Sequence, residues 1–176
     1  VPLEDVPTVS ADGKRIYDMA RRPLPGQTAG GKENIWVADR AGDRWGDPHP
    51  LDPAVNSLPH HWQFAVGRDG AVYFSSSWKG ARGLFVSRPS EGRYAEPVPL
   101  GAPVSVSGGE AMPFLSSDES YLLFQRNYDI YITFRGRTGV WTDPVALPAA
   151  ANTRGMELSP TVSADDGPRS CIRDRQ

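Results

Sequence analysis

Residues 44–51 read RWGDPHPL, and close variants of this octapeptide return twice further along the chain. RYAEPVPL occupies residues 93–100 and VWTDPVAL occupies residues 140–147. The aromatic residues Trp45, Tyr94 and Trp141 stand at intervals of 49 and 47 residues. A recurrence at this period indicates an internal structural repeat rather than a single isolated motif.

Two further phrases precede each octapeptide. The nearer phrase is an apolar strand, and it reads NIWVADR (34–40), GLFVSR (83–88) and DIYITFR (129–135). The farther phrase places an Asp-containing tight turn between two strands, and it begins PTVSADG at residue 7, FAVGRDG at 64 and PFLSSDE at 113. Its opening returns once more as PTVSADD at residue 160, after the last octapeptide, where the repeat breaks off. Asp-Gly between short apolar runs is a strong hairpin signal. Each repeat of about 50 residues therefore holds four strands, the content of one propeller blade.

Composition narrows the possible function classes. The chain has 176 residues, a net charge of −2 and a single cysteine, Cys171. This charge gives no electrostatic case for nucleic acid as a partner. No apolar run approaches the roughly 20 residues of a membrane-spanning helix. The 18 glycines and 17 prolines are spread along the chain, which is typical of many short strands separated by turns.

The phrases resemble the repeats of the TolB-like, WD-repeat-like β-propeller family, and the resemblance extends from residue 4 to about residue 165. The prediction is an all-β, partial β-propeller of three four-stranded blades at residues 1–57, 58–106 and 107–153. A truncated fourth repeat and a tail follow at residues 154–176. In such a fold Trp45, Tyr94 and Trp141 are expected to pack between blades. The resemblance slightly favours a bacterial periplasmic or extracellular location.

Three blades are too few to close a ring, because closed propellers have roughly 4–8 blades. Apolar faces left bare at the two ends of an open arc favour association. We therefore expect a homodimer that completes a six-bladed pseudo-propeller. The alternative is that the sequence is a structural fragment of a longer propeller protein.

Polar residues at repeated positions are the candidate site. Alignment on the first strand predicts that one column of side chains converges on the channel mouth; it consists of Glu4, His61, Glu110 and Glu157. Carboxylates and an imidazole could bind Ca²⁺ or another divalent cation there. The ligand-binding candidates beside this column are Asn56, Ser105, Asn152, His60 and Trp78. An equally open interpretation of the Glu column is structural, with the carboxylates accepting backbone hydrogen bonds.

Three functions from different classes remain open at this point. The first is a module that binds a ligand or partner at the axial channel mouth. The second is a metal-dependent hydrolase of lactones, esters or phosphotriesters, with His61 and Glu110 as its catalytic residues. The third is the structural fragment described above. Whether the protein is an enzyme stays open, and the binding module is favoured because the sequence contains no nucleophile motif.

Overall fold

The computed structural model describes residues 4–28, 31–59, 63–163, 167–169 and 172–173. Its side chains are described for residues 7–28, 31–59 and 63–162. Regular structure in these ranges is antiparallel β apart from one short helix. The all-β partial propeller predicted from the repeats is confirmed. No helix among the described residues is long and apolar enough to cross a membrane.

The first sheet follows the first repeat. Strands β1, β2 and β3 pair in chain order, and β4 and β5 both pair with β3. Their bounds are β1 (Glu4–Val9), β2 (Arg15–Ala20), β3 (Asn34–Ala41), β4 (Arg44–Trp45) and β5 (His49–Pro50). Helix α1 (Pro53–Asn56) comes next, and the Asp52 carboxylate caps it by accepting a hydrogen bond from the Ala54 N–H at 2.9 Å.

The second and third sheets repeat this plan. In the second sheet the order is β6-β7-β8-β11, with a small β9–β10 hairpin inserted. The bounds are β6 (Phe64–Val66), β7 (Val72–Trp78), β8 (Ala81–Ser87), β9 (Pro89–Ser90), β10 (Arg93–Tyr94) and β11 (Val98–Pro99). In the third sheet the order is β12-β13-β14-β15. The bounds are β12 (Glu110–Leu115), β13 (Tyr121–Arg126), β14 (Asp129–Phe134) and β15 (Val145–Ala146).

The fourth repeat forms two short strand pairs with the tail. Strand β16 pairs with β19, and β17 pairs with β18. The bounds are β16 (Glu157–Leu158), β17 (Thr161–Ser163), β18 (Gly167–Arg169) and β19 (Ile172–Arg173). The tail thus lies beside the inner strand of the fourth repeat, where a second blade strand would lie.

The repeated aspartates form the hairpin turns expected of them. In the first repeat, Asp12 Oδ1 accepts the N–H of the residue two positions later at 3.0 Å. Asp69 and Asp118 make the same bond at 2.8 and 3.0 Å. An aspartate that bonds its own turn stabilises the reversal locally. These carboxylates hold turns, as the sequence predicts.

An apolar core lies between the first and second blades, and another lies between the second and third. The first joins Tyr17, Met19, Ile35 and Val37 of the first blade to the second, and the second joins Tyr73 and its neighbours to the third. In each core the incoming blade supplies a stacked aromatic pair. The Phe74 and Phe85 rings lie 6.3 Å apart, and the corresponding pair, Phe124 and Tyr131, lies 6.1 Å apart. Burial of one such side chain contributes on the order of 2 kcal/mol.

Two of the three octapeptide aromatic residues pack toward the preceding blade. Tyr94 packs against the first core and Trp141 against the second, as the repeats predict. Trp45 is 44% exposed, so the packing predicted for it is wrong in this structure. The reason is positional, because no described blade precedes the one that carries Trp45.

Candidate functional site

The inner strands of the repeats surround an open groove of about 640 Å³. Strands β1, β6, β12 and β17 supply its walls, which is the position of the central channel in a propeller. Phe64, Leu115 and Val162 contribute apolar surface, and Thr8 and Thr161 contribute hydroxyls. A concave site of this size with mixed chemistry is suited to a small molecule or an extended chain segment.

Charged groups from two blades form one rim of the groove. The Arg68 Nε donates to the Ser117 carbonyl oxygen at 2.6 Å, and the Arg68 N–H donates to Glu119 Oε1 at 2.6 Å. Arg135 Nη1 donates to Glu119 Oε2 at 2.7 Å. These bonds join the turn of the second blade to the turn of the third and fix the rim in position.

The turn that carries Glu119 also contains an unusually acidic aspartate. Hydrogen bonds from the Ser120 side chain, the Ser120 N–H and Ser116 lower the pKa of Asp118 to about 2. Asp118 and Glu119 both line the groove. The rim therefore presents a permanent negative charge at Asp118 near neutral pH, beside the exposed guanidinium of Arg68.

Glu110 does not line the groove. Its side chain is buried, with 2% of the residue exposed, and it is surrounded by donors. Its carboxylate oxygens accept bonds from the Ser107 N–H at 3.0 Å, the Gly108 N–H at 3.0 Å and Arg126 Nε at 3.1 Å. Burial raises the pKa of Glu110, but hydrogen bonds from Ser107, Val106 and its own backbone outweigh it, and the net pKa is lowered. The carboxylate is held as a charged structural acceptor.

Glu157 repeats this arrangement in part. One carboxylate oxygen accepts bonds from the Thr153 N–H at 3.0 Å and the Thr153 hydroxyl at 2.5 Å. The other oxygen, Oε2, is buried and has no hydrogen-bond partner among the described residues. Glu4 on β1 lies opposite Ala20 on β2, and the Glu4 side chain is outside the described part of the chain.

The two histidines of the candidate site, His60 and His61, lie outside the described residues. Within the described residues, the Glu110 and Glu157 carboxylates each accept hydrogen bonds from the loop that precedes them. No group of three or more His, Cys, Asp or Glu side chains placed to hold a metal ion occurs in this described part. A metal centre that includes His61 stays a prediction.

Three of the predicted ligand-binding residues, Asn56, Ser105 and Asn152 (the Asn56 column), occupy equivalent positions in the three blades and make similar backbone hydrogen bonds. Asn56 Oδ1 accepts the Ile35 N–H at 2.9 Å, and its Nδ2 donates to the carbonyl oxygens of Ile35 and Leu51 at 2.9 and 3.0 Å. Asn152 binds Ile130 in the same way, with distances of 2.8 and 3.0 Å. In the second blade the Ser105 hydroxyl accepts the Leu84 N–H at 3.0 Å. Each side chain fastens its loop to the third strand of its own blade.

Trp78 lies at the tip of the β7–β8 hairpin and away from the groove lining. Its indole packs against the first core, and its Nε1 donates to Glu96 Oε1 at 3.2 Å. The Lys79 ammonium lies 5.6 Å from the ring centroid. The ring is therefore partly occupied by its own neighbours, and its use in ligand stacking stays a prediction.

Sequence reasoning missed the residues that line the groove at its turn end, notably Arg68, Ser117 and Glu119. A usable signal was present: Glu119 stands where the first two blades have Gly13 and Gly70, and it adopts a φ of 61°. A non-glycine residue in this conformation is strained and suggests a specific contact. The contact is the pair of hydrogen bonds that its carboxylate accepts from the Arg68 N–H and from Arg135 Nη1.

The fold and the central groove define the chain as a partial β-propeller. The structure of TolB from Acinetobacter baumannii matches it with a TM-score of 0.55 and 15% sequence identity. The match covers 93% of this chain and 36% of that chain, so the chain spans about a third of the TolB length. This confirms the TolB-like resemblance at the level of the fold. No family model matches the sequence, and no curated protein matches it either.

Proposed function

We propose that this protein is a non-catalytic propeller module that binds a ligand or partner in the axial groove, as a homodimeric pseudo-propeller. The observation that carries the proposal is the groove itself, which four inner strands line with apolar walls and a charged rim. Inner strands present side chains from several blades to one space, so the groove combines donors, acceptors and apolar surface. Binding sites are commonly built in this way.

The rim chemistry limits the ligand class. The exposed Arg68 and the ionised Asp118 lie on neighbouring turns beside hydroxyl groups such as that of Ser117. A ligand with both an anionic and a cationic group, or the alternating amides of an extended peptide, fits this pattern better than a uniformly charged ligand. A bacterial periplasmic or extracellular location, which the family resemblance slightly favours, is part of the proposal.

The functional test uses a matched pair of substitutions. Ser117 is exposed on the groove rim, whereas Ser90 is exposed on β9, outside the groove lining. Ser117→Trp narrows the groove, and Ser90→Trp adds the same bulk elsewhere. A thermal-shift panel of short peptides, zwitterionic metabolites and sugars should show stabilising ligands. Their effect should disappear in Ser117→Trp and persist in Ser90→Trp.

Two results would oppose the proposal. Binding that survives Ser117→Trp unchanged would place the site outside the groove. Metal-dependent turnover of lactones, esters or phosphotriesters would favour the hydrolase alternative with His61 as its base. No described contact favours that alternative at present, and the fragment hypothesis predicts neither binding nor turnover.

A further inference from the structure

Two segments of the chain are nearly the same strand. Residues 4–10 read EDVPTVS and residues 157–163 read ELSPTVS, with five of seven positions identical. The first segment contains β1, whose partner is β2; Thr8 lies opposite Tyr17 and Val9 opposite Ile16. The edge of β2 therefore accepts a Pro-Thr-Val-Ser strand, and the chain contains a second copy of that strand.

The second copy is already docked as an inner strand on the third blade. The Glu157 N–H donates to the Tyr128 carbonyl at 3.0 Å, and Gln125 Nε2 donates to the Glu157 carbonyl at 2.7 Å. The Ser159 N–H lies 3.4 Å from the Met112 sulfur. Residues 157–163 thus occupy the place of the inner strand of a fourth blade, which in a propeller is followed by three outer strands.

The tail is a weak substitute for those outer strands. Val162 of β17 lies opposite Pro168, which has no backbone N–H to donate. Strand β18 has three residues and β19 has two, whereas β2 has six. Fewer residues and a missing donor leave the β17 edge less well paired than β1 is by β2.

The third blade also exposes the face on which those outer strands would pack. Tyr121 and Phe134 lie opposite each other with ring centroids 6.3 Å apart, and Phe134 is 51% exposed. The register of the first blade places the Arg15–Asp39 ion pair at the same position. A half-exposed phenylalanine ring where another blade has a salt bridge is typical of a surface that is covered in an assembly.

The first blade presents a face of matching chemistry. Ile35 and Val37 point into the first core, so alternation along β3 places Trp36 on the opposite face. Trp36 stands at the register of Phe85 and Tyr131, the aromatic residues that pack onto a preceding blade. Trp36 is itself only 7% exposed, and its indole Nε1 has no hydrogen-bond partner among the described residues. Trp45, on the same blade, is 44% exposed and supplies the uncovered aromatic surface.

We infer that two copies of the chain exchange strands. Residues 157–163 of each copy pair with β2 of the other copy in place of its own β1, and the tail is displaced. Each third blade then covers its Phe134 face with the Trp45 face of the other copy, which closes six blades. This inference rests on the homodimer of the proposed function and adds which strand joins the two copies. Exchange of identical elements is a low-cost route to dimers.

The test is site-specific disulfide formation in full chains that carry Cys171→Ser. One chain carries Val162→Cys and a differently tagged chain carries Ile16→Cys, and the two are co-expressed. The inference predicts a mixed disulfide in most of the assembled protein. Val9→Cys with Ile16→Cys in a single chain is the control, because it forms an intramolecular bond only where β1 keeps its place. A dimer without the mixed disulfide, with the control bond intact, overturns the exchange and leaves the homodimer standing; a monomer by light scattering overturns both.

A second measurement does not depend on introduced cysteines. Phe134→Ser and Trp45→Ser should each raise the dimer dissociation constant at least tenfold in sedimentation experiments. Val98→Ser is the matched control, because Val98 is 52% exposed on an outer strand, and it should leave the constant unchanged. Unchanged dissociation in both aromatic variants would overturn the proposed contact between these two faces.

Discussion

Glu110 and Arg126 are direct partners across β12 and β13, with Arg126 Nε 3.1 Å from Glu110 Oε1. The guanidinium also donates to the Val104 carbonyl at 2.9 Å and lies 4.9 Å from the Tyr131 ring centroid. The pair therefore joins the loop before β12 to the second strand and to the second core. It holds the inner end of the third blade in place.

Removal of the charge on Glu110 should destabilise the protein strongly. Glu110→Gln leaves the Arg126 guanidinium in a largely buried site without its counter-charge, which costs about 3 kcal/mol. Urea unfolding should show a lower midpoint with an unchanged slope. Glu96→Gln is the control, because the Glu96 side chain is 61% exposed, and its cost should stay below about 0.5 kcal/mol. Equal effects in the two variants would contradict the structural role of Glu110.

The Glu110–Arg126 pair also predicts how the stability of the fold decreases at acidic pH. The pKa of Glu110 is lower in the folded state than its ordinary value of 4.5. Its contribution is therefore present above pH 4.5 and is lost as the pH falls through the folded-state pKa. The pKa of Asp52 is also lowered, although burial opposes the effect of its bonds to Ala54 and Arg93. Melting temperatures should fall below pH 4.5, and the fall should be shallower in Glu110→Gln; parallel curves would contradict this.

The Asn56 column predicts a graded series of stabilities. Asn56→Ala removes three hydrogen bonds and leaves the buried Ile35 backbone groups without these partners, at a cost of about 3 kcal/mol. Ser105→Ala removes the bond to Leu84 N–H, at about 1 kcal/mol. Chemical denaturation should rank the variants in this order. A reversed order would mean that these side chains do not fasten their loops.

Glu119 adopts a strained positive φ, and its carboxylate accepts two charge-assisted hydrogen bonds that offset this strain. Glu119→Ala keeps the positive φ of 61° and loses both bonds, so it should cost about 2 kcal/mol. Glu119→Gly loses the same bonds but relieves the strain, and it should be about 1 kcal/mol more stable than the alanine variant. Thermal unfolding of the two variants side by side checks this difference. An alanine variant as stable as the glycine variant would show that no strain is stored there.

Sequence periodicity predicted the blades because strands and Asp turns recur at fixed spacing, and those signals are local. The candidate site was less accessible to prediction, as Glu110 and Asn56 illustrate. Glu4 and Glu110 each begin the first strand of a blade, but a repeated position does not show whether a carboxylate oxygen faces the channel or its own loop. The loop before β12 folds back and supplies N–H donors to Glu110, whereas α1 places Asn56 against the Ile35 backbone of β3. Only the structure shows these contacts. Arg68 and Ser117 were missed because their importance comes from a contact between turns 49 residues apart.

The last prediction concerns metal ions. It distinguishes the hypothesis that Glu110 is a structural hydrogen-bond acceptor from the hypothesis that Glu110 is a metal ligand. A cation at Glu110 would have to displace Arg126 and the N–H groups of Ser107 and Gly108, and each hydrogen bond to a charged group is worth about 2 kcal/mol. The folded state therefore does not need a cation at this carboxylate. Addition of a chelator should leave the melting temperature unchanged within about 1 °C, and any Ca²⁺ affinity measured by calorimetry should be the same in wild type and Glu110→Gln. A stoichiometric ion that Glu110→Gln expels, together with a lower melting temperature after chelation, would instead favour the axial metal centre and the hydrolase.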